Sequence, residues 1–285
     1  MTIKKKILLF ACIGIMCHST YGQGRFSLPF SGAYDEDAPI LLGISYTASL
    51  SHYLLQLKDD WQGLDILPNG EPGKHILDIE NIRAIQSRPA LNISVGIPID
   101  IRFTELLYFA LNPSFNFVNQ SQIDYSGEAP GENGIEKTVF RRSRHSTDEK
   151  AGQNFNSFTF PLHIKFRSEE KVLKNRFNRY RAYLIGGVSY TRWLGIKKEY
   201  GELIAEQKNG YQSHALILNP DYYTWEAGVG LDIFFNYFKM SPEIKFSQSF
   251  SNILDNNHML TQGNLYMNPL QSAKARGVFL SLIFQ

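Results

Sequence analysis

The side chains best suited to chemistry form an alternating series. His163, Lys165 and Arg167 lie two apart, as do Glu243 and Lys245, while Glu226 and Asp232 share one parity. On extended strands this spacing puts each set on one face, because successive side chains point to opposite sides. Cations and carboxylates collected on inward faces suit two uses. They neutralise one another as a salt-bridged plug, since buried charges must be paired, or they form a proton relay or small-ligand site.

Other constellations are weaker. After residue 22 the histidines are His52, His75, His145, His163, His214 and His258, and all but His163 fall in expected loops or at their edges. A lipid-modifying barrel enzyme would need one of them beside a nucleophile at the membrane boundary. No Gly-x-Ser-x-Gly, His-Glu-x-x-His or phosphate-cradling glycine motif occurs, so no catalytic residue is assigned. Arg141-Arg142-Ser143-Arg144-His145 is a basic cluster, read either as a contact for anionic lipopolysaccharide headgroups or as a solvated loop face. Asp59, Asp60 and Asp65 lack the closing glutamate of an EF-hand, and no metal, cofactor or small-molecule substrate is expected.

The charged series must be positioned by strands. Parity marks eight, at about 41 to 49, 89 to 97, 107 to 118, 157 to 167, 180 to 194, 222 to 235, 238 to 250 and 273 to 284. Several exceed the usual five or six residues of a globular strand and match the roughly nine to eleven that a tilted bilayer crossing needs. Their apolar faces include Phe160, Leu162 and Ile164; Trp225 and Leu231; Phe238, Met240, Ile244 and Phe246; and Leu282 and Phe284. These are the expected lipid-facing residues. Between them Lys239, Glu243 and Lys245 would point inward.

A soluble β-sandwich alternates too, but it would bury the apolar face between two sheets. Strand length, aromatics near strand ends and the connections favour a barrel instead. Short pieces join strands two to three, four to five and six to seven, whereas the other links are long and polar, as in barrels with short periplasmic turns and long external loops. Trp225 and Phe235 share the apolar face ten residues apart, which at ordinary rise and tilt spans about 24 Å of bilayer height. Lipid offers backbone amides no partners, so such a sheet must close. Eight antiparallel up-and-down strands make a transmembrane β-barrel narrow enough to be filled by its own side chains, with no open pore. Pro113, Pro161 and Pro242 lie inside expected strands and call for bulges or bends.

The N-terminus reads as an export signal. Lys4, Lys5 and Lys6 precede an apolar run from Ile7 to Cys17 and small residues to Gly22, the layout of a secretory signal peptide over residues 1 to 22. A lipoprotein reading through Cys12 competes poorly, because the apolar run continues past that cysteine. Removing the segment takes away both cysteines and three lysines, leaving 26 bases against 27 acids. A near-neutral chain with no basic stripe has no nucleic-acid partner, and no disulfide is expected. No run of about 18 apolar residues follows, so no spanning helix is expected. The organisation is then a signal at 1 to 22, an N-terminal periplasmic segment at 23 to 40, and a barrel at 41 to 285.

Four stretches, "FPLHIKFRSE", "RAYLIGGVSYT", "GLDIFFNYFKMSPEIKFSQSFSNIL" and "ARGVFLSLIF", resemble the PorT family of outer-membrane barrels of Bacteroidota. The resemblance covers roughly residues 157 to 285 and is most specific over Tyr237 to Ser247. It implies an eight-stranded barrel in the cell outer membrane that supports type IX secretion or gliding through contacts with envelope proteins, and it brings no catalytic residues. The alternative is a general surface barrel for adhesion or envelope stability.

Overall fold

A computed structural model describes residues 26–30, 34–62, 79–117, 121–129, 132–144, 154–172, 179–207 and 214–285. The expected signal peptide at 1 to 22, His75, Asp65 and His145 lie outside the described residues.

In chain order the strands begin with β1 (Phe26–Ser27), β2 (Ile40–Leu42), β3 (Ile44–Leu57), β4 (Glu80–Arg88), β5 (Ala90–Gly96) and β6 (Ile99–Arg102). They continue with β7 (Leu107–Leu111), β8 (Ser114–Phe117), β9 (Gln122–Ala129), β10 (Glu132–Arg141), β11 (Ser157–Arg167) and β12 (Lys171–Val172). After β13 (Arg179–Trp193) comes the helix α1 (Ile196–Gln207), then β14 (Asp221–Phe234), β15 (Lys239–Ser249) and β16 (Leu270–Phe284).

Backbone pairing closes a ring of eight walls. β3 pairs with β16 and β5, β16 with β15, β15 with β14, β14 with β13, β13 with β11, and β11 with β7 and β8, which return to β6 and β5. The first three walls are each broken in two, between β2 and β3 at Gly43, between β5 and β6 at Ile97–Pro98, and between β7 and β8 at Asn112–Pro113. None of these breaks slips the register: Gly96 faces Ser114 and Ile99 faces Leu111. The second wall thus runs on to Arg102, past the expected end at 97, and the first to Leu57, so His52 sits on a strand rather than in a loop.

The prolines are accommodated without bulges. Thr159 pairs with Ser114 and Leu162 with Leu111, so Pro161 faces the break that contains Pro113, and two residues lacking an N–H share one gap in the ladder. Pro242 stays in register with Leu282, while the β14–β15 ladder skips from Gly230–Glu243 to Ile233–Met240. Each proline sits where a donor is not required.

The apolar faces point outward. Leu184 is 62% exposed, Leu280 61% and Phe160 52%, whereas Lys165 is 1% and Arg167 0% exposed. A sandwich would reverse those values, because it hides phenylalanine and shows lysine. The outward rings gather near both ends of the walls. Tyr190–Tyr223, Trp225–Phe246 and Phe115–Phe158 pair at the long-link end, and Phe103–Phe109, Phe235–Phe238 and Phe30–Phe238 at the short-turn end. Aromatic girdles of this kind belong at the two membrane interfaces.

The long links, read from the sequence only as long and polar, carry structure of their own. β4, β9 and β10 form a separate antiparallel sheet, and α1 and a short 3-10 helix at Met259–Thr261 pack beside it. Their apolar residues fuse with the upper ends of the walls: Ile82, Ile123, Tyr125, Tyr200, Leu216 and Tyr266 share one buried cluster with Tyr53, Trp193 and Ala273. This cap is anchored by polar bonds too. Tyr125 Oη donates to the Tyr266 carbonyl at 2.6 Å, and Asn264 Nδ2 to the Ala215 carbonyl at 2.8 Å. Burial pushes the Tyr125 and Tyr200 phenols above their ordinary range.

Candidate functional site

The seven charged residues singled out from the sequence all occupy the lumen, because β11, β14 and β15 present one parity inward. His163, Lys165, Arg167, Glu226, Asp232, Glu243 and Lys245 are all buried. The structure brings them together in two clusters and adds two members.

The lower cluster centres on Asp100, whose Oδ2 lies 2.8 Å from Lys165 Nζ, 3.3 Å from Lys239 Nζ and 3.5 Å from Arg167 Nη2. Arg167 Nε is 2.8 Å from Asp232 Oδ2, and Ser241 Oγ donates to the other Asp232 oxygen. The Arg167 contacts are electrostatic, since its nitrogens make no well-directed hydrogen bond, and the guanidinium lies 3.8 Å from the centre of the Tyr108 ring. In the upper cluster Glu226 Oε2 is 3.0 Å from His163 Nε2 and 3.2 Å from Lys245 Nζ. Lys245 Nζ also approaches Glu243 Oε1 at 3.4 Å, and Tyr183 Oη donates to Glu243 Oε2 at 2.9 Å. Lys165 Nζ, 4.4 Å from the Tyr183 ring centre, links the two clusters.

Lys165, Arg167, Lys239 and Lys245 thus meet Asp100, Asp232, Glu226 and Glu243, four cations against four carboxylates, with His163 additional. Such balance is what lets charges remain in a lumen with little water. Glycine makes the packing possible: a Cβ on Gly187 would stand 2.1 Å from the Leu162 carbonyl oxygen, and one on Gly230 2.2 Å from the Tyr183 ring. The Glu226 site and the Tyr183 ring therefore both press against bare backbone.

Above the charges the lumen is lined by hydroxyls and amides around a cavity of about 100 Å³, floored by Glu226 and Lys245 and bounded towards the cap by Trp193 and Tyr222. On its wall the register partners Thr47 and Ser281 hydrogen-bond at 2.8 Å, and Asn116 Nδ2 donates to Thr159 Oγ1 at 2.8 Å. Such a chamber has room and partners for several ordered waters.

At the short-turn end the N-terminal segment lies over the mouth. Tyr34 N–H donates to the Asn236 carbonyl at 2.9 Å, Glu36 pairs with Arg181 at 3.1 Å and Arg179 at 3.2 Å, and Asp37 with Arg102 at 2.7 Å. Burial raises the Tyr34 phenol.

The loop cluster is spent within the cap. Arg141 lies 4.0 Å from the Tyr266 ring centre, Arg142 Nη2 donates to Gln122 Oε1 at 3.1 Å, and Arg144 Nε pairs with Glu199 at 2.8 Å. Those three side chains stabilise the cap rather than facing lipid headgroups together. Asp59 and Asp60 are exposed, and no metal-binding group occurs among the described residues. The residues assigned to lipid take outward positions: Phe160, Leu162 and Ile164 on β11, Trp225 and Leu231 on β14, Met240, Ile244 and Phe246 on β15, Leu282 and Phe284 on β16, and Phe238 just before β15.

A family model described as "Outer membrane protein beta-barrel domain" matches residues 26–255. Among solved structures, similar chains include Neisserial surface protein A, at 6% identity and TM-score 0.33, covering 85% of this chain and 95% of that one. OprG from Pseudomonas aeruginosa matches at 10% identity and TM-score 0.33 over 85% of this chain and 93% of its own. Ail of Yersinia pestis matches at 12% identity and TM-score 0.26 over 85% and 96%. A search of curated proteins finds no match.

Proposed function

The chain belongs to the outer membrane protein beta-barrel domain family, and from that premise we propose that it is a non-enzymatic integral barrel acting by protein contact in support of type IX secretion or gliding. The family places it in the outer membrane; export through the signal at residues 1 to 22 completes the reading. The observation that carries it is the lower lumen filled by Asp100, Lys165, Arg167, Asp232 and Lys239. A barrel plugged by its own ion pairs works through its ends, not through a pore. The PorT resemblance over residues 157 to 285 supplies the process, with envelope or secretion proteins as partners at the periplasmic mouth around Glu36, Arg179 and Arg181. Deleting the gene and measuring export of type IX cargo tests this: export should fall, and normal export would remove the secretion role.

The folded cap favours a second reading, a surface barrel for adhesion or envelope stability. A chain with its own core on the external side offers a rigid surface there. Normal export combined with reduced attachment or raised detergent sensitivity in the deletion strain would select it. The lipid-modifying reading has less support, because His163 is 2% exposed in the lumen and bonded to Glu226. Replacing it with glutamine should leave lipid A unchanged by mass spectrometry.

A further inference from the structure

The outward face of β16 and β3 turns from apolar to mixed near the long-link end. On β16, Leu282, Leu280 and Val278 share outward parity with Arg276 and Lys274, and on β3, Tyr46, Ala48 and Leu50 share it with His52. Register sets Arg276 directly beside His52 on one side and Gln248 on the other, with Val278 beside Leu50 one step below. Alternate residues on a strand are about 7 Å apart. One step above Val278 and Leu50 the pair is Arg276 and His52, and one step further Lys274 stands beside exposed Leu54.

Arg276 is held in place there. Its Nε and Nη2 donate to Gln248 Oε1 at 3.0 and 2.6 Å, and the guanidinium lies 5.7 Å from the Phe246 ring centre, which leaves Nη1 free to donate elsewhere. β3 and β16 contain no Asp or Glu, and among the described residues neither His52, Lys274 nor Arg276 makes an ion pair. Elsewhere on the long-link side Arg88 pairs with Asp124 at 3.0 Å and Arg144 with Glu199 at 2.8 Å. The unpaired Arg276 and Lys274 stand directly above exposed Leu50, Val278 and Leu280.

Cations fixed where hydrocarbon ends meet the headgroup layer, and a guanidinium suits phosphate through its fork of donors. We propose that Arg276 and Lys274, with the His52 imidazole beside them as a hydrogen-bond donor, anchor the phosphate of a lipid A headgroup in the outer leaflet, with its acyl chains lying along Leu50, Val278 and Leu280. This assignment rests on the outer-membrane placement but is independent of any role in secretion.

The test uses the folded chain in zwitterionic detergent, titrated with bisphosphorylated lipid A and, separately, with the same lipid dephosphorylated, and read by native mass spectrometry. Wild type should bind the phosphorylated lipid roughly ten-fold or more tightly than its phosphate-free form. The triple variant H52Q/K274Q/R276Q should lose that preference, and R88Q, whose charge is already paired with Asp124, should keep it. Equal binding of the two lipids, or an unchanged preference in the triple variant, would overturn the proposal. Inorganic phosphate at millimolar concentration should compete weakly; full displacement of the lipid would mark a free-phosphate site and also overturn it. Should the triple variant fail to show the unheated, folded gel band, R276K is read instead. It retains charge without the fork, and undiminished preference for phosphorylated lipid there would count against the assignment.

Discussion

Arg167 Nε lies 2.8 Å from Asp232 Oδ2 with neither side chain exposed to solvent. Removing one partner of a buried pair leaves the other charge uncompensated, at about 3–5 kcal/mol. Asp232→Asn should therefore lower the urea midpoint of the folded gel band sharply. The double change R167M/D232L, which deletes both charges, should be milder than either single change. A double variant no better than the singles would mean that Arg167 depends chiefly on Asp100.

Two glycines should separate backbone from side-chain limits. Gly187→Ala drives a methyl into the Leu162 carbonyl, which the ladder between β11 and β13 cannot move. Gly230→Ala asks only that the Tyr183 ring shift, at about 1–3 kcal/mol and with loss of its bond to Glu243. Folding yield in detergent should fall much further for the first than for the second.

The outward face gives a polarity test. Leu184→Arg places a cation against hydrocarbon at a position now 62% exposed, and should cost about 2–4 kcal/mol in vesicles if the site is near the midplane. Reversible urea unfolding in lipid measures it. A neutral result would argue against lipid on that wall.

The cap should be alkali-sensitive. Tyr125 and Tyr200 carry phenols raised by burial, so the native state keeps protons that the unfolded state releases above about pH 10. Their contribution is complete below that pH and is lost progressively as pH rises towards the raised native values. Limited proteolysis at pH 8 and pH 11 should show cap cleavage appearing at the higher pH while the walls stay protected.

Parity made the eight walls and seven lumen charges readable because a closed sheet keeps one polar and one apolar face along most of its length. Asp100 escaped because Pro98 reads as a strand end, although Ile97, Ile99 and Ile101 keep the alternation through it. Lys239 was visible as inward-facing, but its partner Asp100 comes from a wall whose alignment with β15 local sequence does not specify. The cap was hidden for a different reason. A register irregularity between Glu80 and Ala84 puts buried Ile82 and Ile85 on opposite parities, so β4 shows no clean alternation. In α1 the signal was present, since Ile196, Tyr200 and Leu203 recur at four and three residues and all are buried.

The cap core draws Tyr53, Trp193, Leu270 and Ala273 from the upper ends of walls that are far apart in sequence. Its complete core can form only once those walls stand side by side. Protease resistance of the external face thus serves as a certificate of completed assembly, issued late and withheld from any chain whose walls have joined out of turn.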